Sequence, residues 1–227
     1  MKTTMKLLAV FALIGISISV NAQNYTNHEV ANAPAFTSID VRGGNVNVLF
    51  TQGETHSFSI NGPEKLVKRT KIKINNNTIY VNYNEPFFSK GEDVNVYVSA
   101  PQLNNITVAG KADFKVQTNL QGKELNINTF SNGEVSIRNL YADKININAS
   151  GDSDIDLKFL TANTINVKSL GTSDVELSGT TNLFNVIDKG TLAEIDTEHL
   201  IITNIKGNGV NGSLQKVTSD GGVEYSF

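Results

Sequence analysis

The chain has no cysteine and no tryptophan, and only 3 histidines among 227 residues. Without cysteine there is no disulfide and no lipid-modified N-terminal cysteine. His28, His56 and His199 stand far apart, and no HxxxH, HExxH, GxSxG or phosphate-loop pattern occurs. The usual marks of zinc hydrolases, serine hydrolases and nucleotide-binding enzymes are therefore missing. No excess of positive charge is present either: the formal net charge is -3, which argues against nucleic acid as a partner. Beyond residue 20 there is no long apolar run, so no transmembrane segment is expected in the mature chain.

What the chain does have is periodicity. Leu125-Asn126-Ile127, Ile145-Asn146-Ile147, Ile165-Asn166-Val167 and Phe184-Asn185-Val186 repeat one apolar-Asn-apolar step, with Ile106-Thr107-Val108 read as an earlier copy. Their first residues are 19, 20, 20 and 19 apart. Each step is followed by a second alternating pair: Phe114/Val116, Val135/Ile137, Ile155/Leu157 and Val175/Leu177. A third apolar point recurs at Leu120, Leu140 and Leu160. Alternation marks short strands with one buried face. Gly151, Gly171 and Gly190 follow the first step at a bend, with Gly110 and Gly133 read at the same bend. One such repeat buries too few side chains to fold alone. The array must stack and cover its own apolar layers. The expected fold is all-β: a right-handed parallel β-helix or β-solenoid with about 20 residues per coil, the handedness coming from the resemblance described below. An antiparallel sandwich is the alternative, but hairpins do not generate this period.

Lys2 and Lys6 precede an apolar run, Leu7 to Val20, and Val20-Asn21-Ala22 fits a signal-peptidase site. Residues 1–22 are expected to be a signal peptide and 23–227 a single solenoid domain, with 36–100 as a first β region and 103–213 as regular coils. Export to the periplasm, cell surface or extracellular space follows.

The first β region alternates without a clear period: Ile39/Val41, Val46/Val48, Phe58/Ile60, Ile72/Ile74, Ile79/Val81 and Val94/Val96/Val98. Asn75-Asn76-Asn77 reads as a hairpin turn. Pro63 to Val67 reads as a single helical turn. This N-terminal β region is expected to cap or begin the solenoid, because an open end is an exposed strand edge.

Phe36-x-x-Ile39-x-Val41-x-Gly43, Val46-x-Val48, Gln52-Gly53 and Val96-x-Val98-x-Ala100-Pro101-x-Leu103-x-x-Ile106-x-Val108-x-Gly110 together resemble the auto-transporter adhesin, head GIN domain family of exported proteins from Bacteroidetes and other bacteria. The resemblance covers roughly residues 36–213. It implies a right-handed β-helix similar to pectin lyase-like folds and a role in adhesion, and it carries no catalytic residues.

Two features bear on chemistry. Asp113, Glu134, Asp154 and Asp174 precede equivalent strand positions, and Asp156 and Glu176 share their face. Asp154, Asp156, Asp174 and Glu176 are the candidate Ca2+ ligands, since stacked carboxylates repel unless screened or bridged. The other reading is a solvated acidic strip interrupted by Lys115, Arg138 and Lys158. The second feature is Phe87 and Phe88 after Pro86. They either plug the apolar end of the solenoid or form a contact patch for a partner. The Asn126, Asn146, Asn166 and Asn185 column reads as an amide ladder between coils. No catalytic residue and no cofactor other than Ca2+ is expected. The function expected is non-enzymatic presentation of a binding surface, for adhesion or an envelope-associated interaction with an envelope protein or glycan. The rivals are a carbohydrate-active, pectin lyase-like enzyme using the acidic strip with Arg138 and Lys158, and a purely structural envelope protein.

Overall fold

A computed structural model describes residues 25–83, 92–207, 214–217 and 223–226. The expected signal segment and the loop carrying Phe87 and Phe88 lie outside them. In chain order the elements are Tyr25–Val30 (β1), Ser38–Gln52 (β2), Ser57–Pro63 (β3), the helical turn Glu64–Val67 (α1), Thr70–Asn75 (β4), Thr78–Tyr83 (β5) and Val94–Ala100 (β6). Asn105–Val116 (β7), Leu120–Ser131 (β8), Glu134–Ile137 (β9), Leu140–Gly151 (β10), Asp154–Gly171 (β11) and Asp174–Lys189 (β12) follow. Glu194–Asp196 (β13), Leu200–Gly207 (β14), Leu214–Val217 (β15) and Val223–Ser226 (β16) complete the chain, and all the strands join one continuous sheet.

The sheet is wound into a β-solenoid. Strands β8, β10, β11 and β12 pair in parallel, and Asn126, Asn146 and Asn166 occupy one row. The interior consists of stacks of equivalent residues. Ile79, Ile39, Ile106, Ile127, Ile147, Val167 and Val186 form one buried stack. Val96, Val48, Phe114, Val135, Ile155 and Val175 form a second. Leu120, Leu140 and Leu160 belong to a third. Each coil covers the apolar layer of its neighbour, which is why no single repeat needs a core of its own.

Two placements differ from the repeat as read in the sequence. Ile106 pairs with Ile127, so Asn105, not Thr107, fills the asparagine position of that coil. Ser131, not Gly133, stands in the bend column with Gly110, Gly151 and Gly171. The cause is coil length: Asn105 to Asn126 is a step of 21 residues, and the extra residue shifts the apparent alignment.

The bends are tight. Gly110, Gly151 and Gly171 have φ of 87°, 87° and 77°, and a Cβ on Gly171 would come 2.7 Å from the Gly151 carbonyl oxygen. Only residues that tolerate left-handed backbone fit here. Ser131 does so at φ 61°.

The first β region begins the solenoid and caps it, in an order the chain does not follow. β2 lies parallel to β7 and supplies a complete coil beneath it. β5 and β6 pair in parallel with the two halves of β2 on its other side, forming the coil beyond. The earliest coil in sequence is thus sandwiched between two later ones. β4 pairs antiparallel with β5, β3 with β6, and β1 with β3, so antiparallel strands close this end. The β4–β5 hairpin turns through Asn76 and Asn77, both at positive φ, as a two-residue turn of this kind requires. This arrangement covers the last parallel strands at this end of the stack.

Candidate binding surface

Three outward faces wind along the solenoid. The first carries the amide ladder. Asn126 Nδ2 donates to Asn105 Oδ1 at 3.0 Å, Asn146 to Asn126 at 2.7 Å, Asn166 to Asn146 at 2.8 Å and Asn185 to Asn166 at 2.8 Å. Asn105 Nδ2 ends the run by donating to Ser38 Oγ at 2.9 Å. Each amide from Asn105 to Asn166 both donates and accepts along the axis, and the side chains are partly buried. The hydrogen-bonding capacity of this column is therefore directed at the neighbouring coils.

The second face is acidic, and the parallel register makes it longer than the sequence reading had it. Asp113, Glu134, Asp154, Asp174 and Glu194 form one row. Asp156, Glu176 and Asp196 form the row beside it. The four candidate ligands are brought together as two adjacent pairs, Asp154 beside Asp174 and Asp156 beside Glu176. Lys158 Nζ pairs with Asp156 Oδ2 at 2.8 Å, while Asp156 Oδ1 has no hydrogen-bond partner among the described residues. Among the described residues no group of three or more acidic or histidine side chains is gathered as a metal site. Burial, then Glu134 and Asp93, raises the Asp113 carboxyl to about 6. Asp174 is also raised, by burial and by Glu194, Asp154, Asp196 and Glu176. The row is electrostatically strained at neutral pH. Arg138 is drawn from this row to Phe159, its guanidinium 5.3 Å from the ring centroid.

The third face holds an open groove of about 440 Å3. Gly122, Ala142 and Ala162 make a floor of small residues in register across three coils. Gln121, Tyr141 and Thr161 line one side, and Asp143 and Asn163 the other. Asn163 Nδ2 donates to Asp143 Oδ1 at 3.2 Å and Asn182 Nδ2 to Asn163 Oδ1 at 3.0 Å. Tyr141 is 44% exposed. At the corner two residues before Thr161, Phe159 is 57% exposed and has φ 52°. Sequence reasoning passed over this face. The period of 20 alone places 121, 141 and 161 in one row, but Gln, Tyr and Thr share no motif.

A family model described as "Putative auto-transporter adhesin, head GIN domain" matches residues 35–221. The chain belongs to that family. Solved structures with the same fold include a putative adhesin from Parabacteroides merdae at 19% identity, with a TM-score of 0.70 over 82% of this chain and 78% of that one. A putative adhesin from Parabacteroides distasonis, at 16% identity and TM-score 0.72, has the same coverage. So does a putative lipid binding protein from that organism, at 15% identity and TM-score 0.71. No curated protein matches the chain.

The head GIN motif residues serve the fold. Phe36, Ile39, Val41, Val46 and Val48 are buried in the β2 coil. Gly43, at φ 120°, leaves room for the Tyr83 carbonyl oxygen, which a Cβ would meet at 2.3 Å. Gln52 occupies the point where the chain leaves the β2 coil. Its Nε2 donates to the carbonyl oxygens of Pro101 at 2.9 Å and Gln121 at 3.0 Å, and its Oε1 accepts from the Gln121 backbone N–H at 2.7 Å. The side-chain amide thus takes the place of a peptide group where the coil is interrupted. Among the described residues no helix is long and apolar enough to cross a membrane.

Proposed function

We propose that this head GIN domain is an exported, non-enzymatic adhesin-like module that holds a partner on the outside of the solenoid. One solenoid domain spanning 23–227 carries the surface. The observation behind this reading is the outward face around Tyr141. There an aromatic side chain stands in solvent beside an open groove, while most apolar side chains of the same strands are buried in the core. The family's adhesin description and the fold shared with putative adhesins support the same role. A carbohydrate-cleaving reading finds less support. The acidic rows set like charges side by side, and Lys158 and Arg138 are engaged by Asp156 and Phe159. Paired carboxylates of an acid-base machine need divergent environments and a substrate between them.

The test is attachment. Cells carrying the intact protein and cells lacking it are compared for adherence to coated surfaces, with protease accessibility of the mature chain on intact cells as the localisation readout. Equal adherence and a chain found only in the cytoplasm would remove the reading. Release of reducing ends from a panel of polysaccharides would replace it with the enzymatic one.

A further inference from the structure

The groove on the third face combines costly choices that the fold does not require. Two residues before the lining residue Thr161, Phe159 places a bulky side chain in left-handed backbone, at about 1–2 kcal/mol, its half-exposed ring under the Arg138 guanidinium. Its equivalent one coil earlier, by the Leu140–Leu160 register, is Asn139. Tyr141 likewise exposes its ring where the next coils carry Thr161 and Thr180. An exposed aromatic ring at a groove rim points from structure to ligand. Beside Tyr141 the floor is Gly122, Ala142 and Ala162, residues with little or no side chain. A Cβ on Gly122 would meet nothing closer than the Leu103 carbonyl oxygen, at 3.9 Å. A Cβ alone therefore has room there, while its register partners Ala142 and Ala162 are buried.

The polar groups of the lining define what fits. Asp143 accepts only, Asn163 and Gln121 donate and accept, and Thr161 offers a hydroxyl. The lining contains one carboxylate and no lysine or arginine, so it is not suited to an anionic polymer. Polar groups of differing kind follow one another from coil to coil, about 4.8 Å apart. Such an array favours a ligand with its own repeating hydroxyls and with apolar C–H faces for an aromatic ring. The groove is open, so a chain running along the axis enters without any part of the protein moving. We infer that the groove lined by Tyr141, Asp143, Thr161 and Asn163 binds a neutral saccharide chain, with the Tyr141 ring against a sugar face and Asp143 accepting from sugar hydroxyls. This inference deepens the adhesin-like reading and rests on it.

The experiment applies the mature protein to an array of neutral gluco-, galacto-, manno- and N-acetylglucosamine oligosaccharides, followed by titration of any binder. The wild type is expected to bind at least one series. Tyr141→Ala is expected to weaken it at least tenfold. Asp143→Ala, which removes the acceptor assigned to the sugar hydroxyls, is expected to weaken it at least tenfold without lowering the melting temperature. Absence of binding to every neutral series overturns the inference. So does binding that survives both substitutions with the fold intact, or substitutions that weaken a protein partner and no saccharide. Cell attachment is measured in parallel: attachment retained without glycan binding defeats the saccharide assignment alone, whereas loss of both defeats the adhesin-like reading as well.

Discussion

Replacing Gly171 by alanine tests the stacking itself. The residue sits in the bend column at φ 77°, where an L side chain is disfavoured by about 1–2 kcal/mol. Its new Cβ would stand 2.7 Å from the Gly151 carbonyl oxygen and 3.0 Å from the Gly151 nitrogen. Both atoms are backbone, and the Gly151 carbonyl already accepts from the Thr172 N–H at 2.8 Å. No rotamer change relieves the contact. One coil must move against the next, at a further 1–3 kcal/mol or so, as overpacked interiors show. The expected loss is about 2–5 kcal/mol, read from urea denaturation of the mature chain by linear extrapolation. Ser131 supplies the control. It already bears a Cβ in this column, at φ 61°. Ser131→Gly relieves the left-handed penalty of about 1–2 kcal/mol but loosens the unfolded chain by about 0.4–1 kcal/mol, leaving a net gain of about 0–1.6 kcal/mol. A loss under about 1 kcal/mol for Gly171→Ala, or a large loss for Ser131→Gly, would refute the argument from close coil contact.

Asp113 makes stability depend on pH. Its folded value, about 6, lies above the ordinary 3.8, so the folded chain holds this proton more tightly than the unfolded one. The contribution is greatest below about pH 4 and fades as pH rises through about 6. Melting temperature is expected to rise as pH falls from 7 towards 5, and Asp113→Asn to flatten that rise while gaining about 1 kcal/mol at pH 7, since solvent reaches the side chain and screens the repulsion. Gln52→Ala strips the Gln121 N–H and carbonyl of their partner and is expected to cost about 1–3 kcal/mol in the same urea assay. Ile147→Asp places an unpaired charge inside the isoleucine stack. It should abolish cooperative unfolding by circular dichroism, and an unchanged melting curve would contradict the observed register. Millimolar Ca2+ is expected to raise the melting temperature no more than equal Mg2+. A calcium-specific rise, reversed by chelator and lost in Asp154→Asn with Asp174→Asn, would establish a site at Asp154, Asp156, Asp174 and Glu176 instead.

The 20-residue period alone determined the coil length, the inward apolar stacks and the inter-coil partnership of Asn126, Asn146, Asn166 and Asn185. A stacked parallel array repeats its register at every layer, so a linear pattern is enough to read it. Even the acidic row followed, and Glu194, 20 residues beyond Asp174, extends it on the three-residue strand Glu194–Asp196. Where the period slips, local pattern fails: Thr107 and Gly133 looked equivalent to residues that Asn105 and Ser131 replace in space. Three matters were left to the tertiary structure. The β2 coil lies between the β5–β6 coil and β7, an order set by closing the stack end and bridged by the Gln52 amide. Phe159 turns outward because of its backbone conformation, which its residue type does not announce. The groove arises from small residues lying side by side on separate coils, and its walls come from rows that share no motif. A core position is dictated by burial, which recurs in sequence. A concave surface depends on which unlike side chains stand next to one another, and only the folded stack decides that.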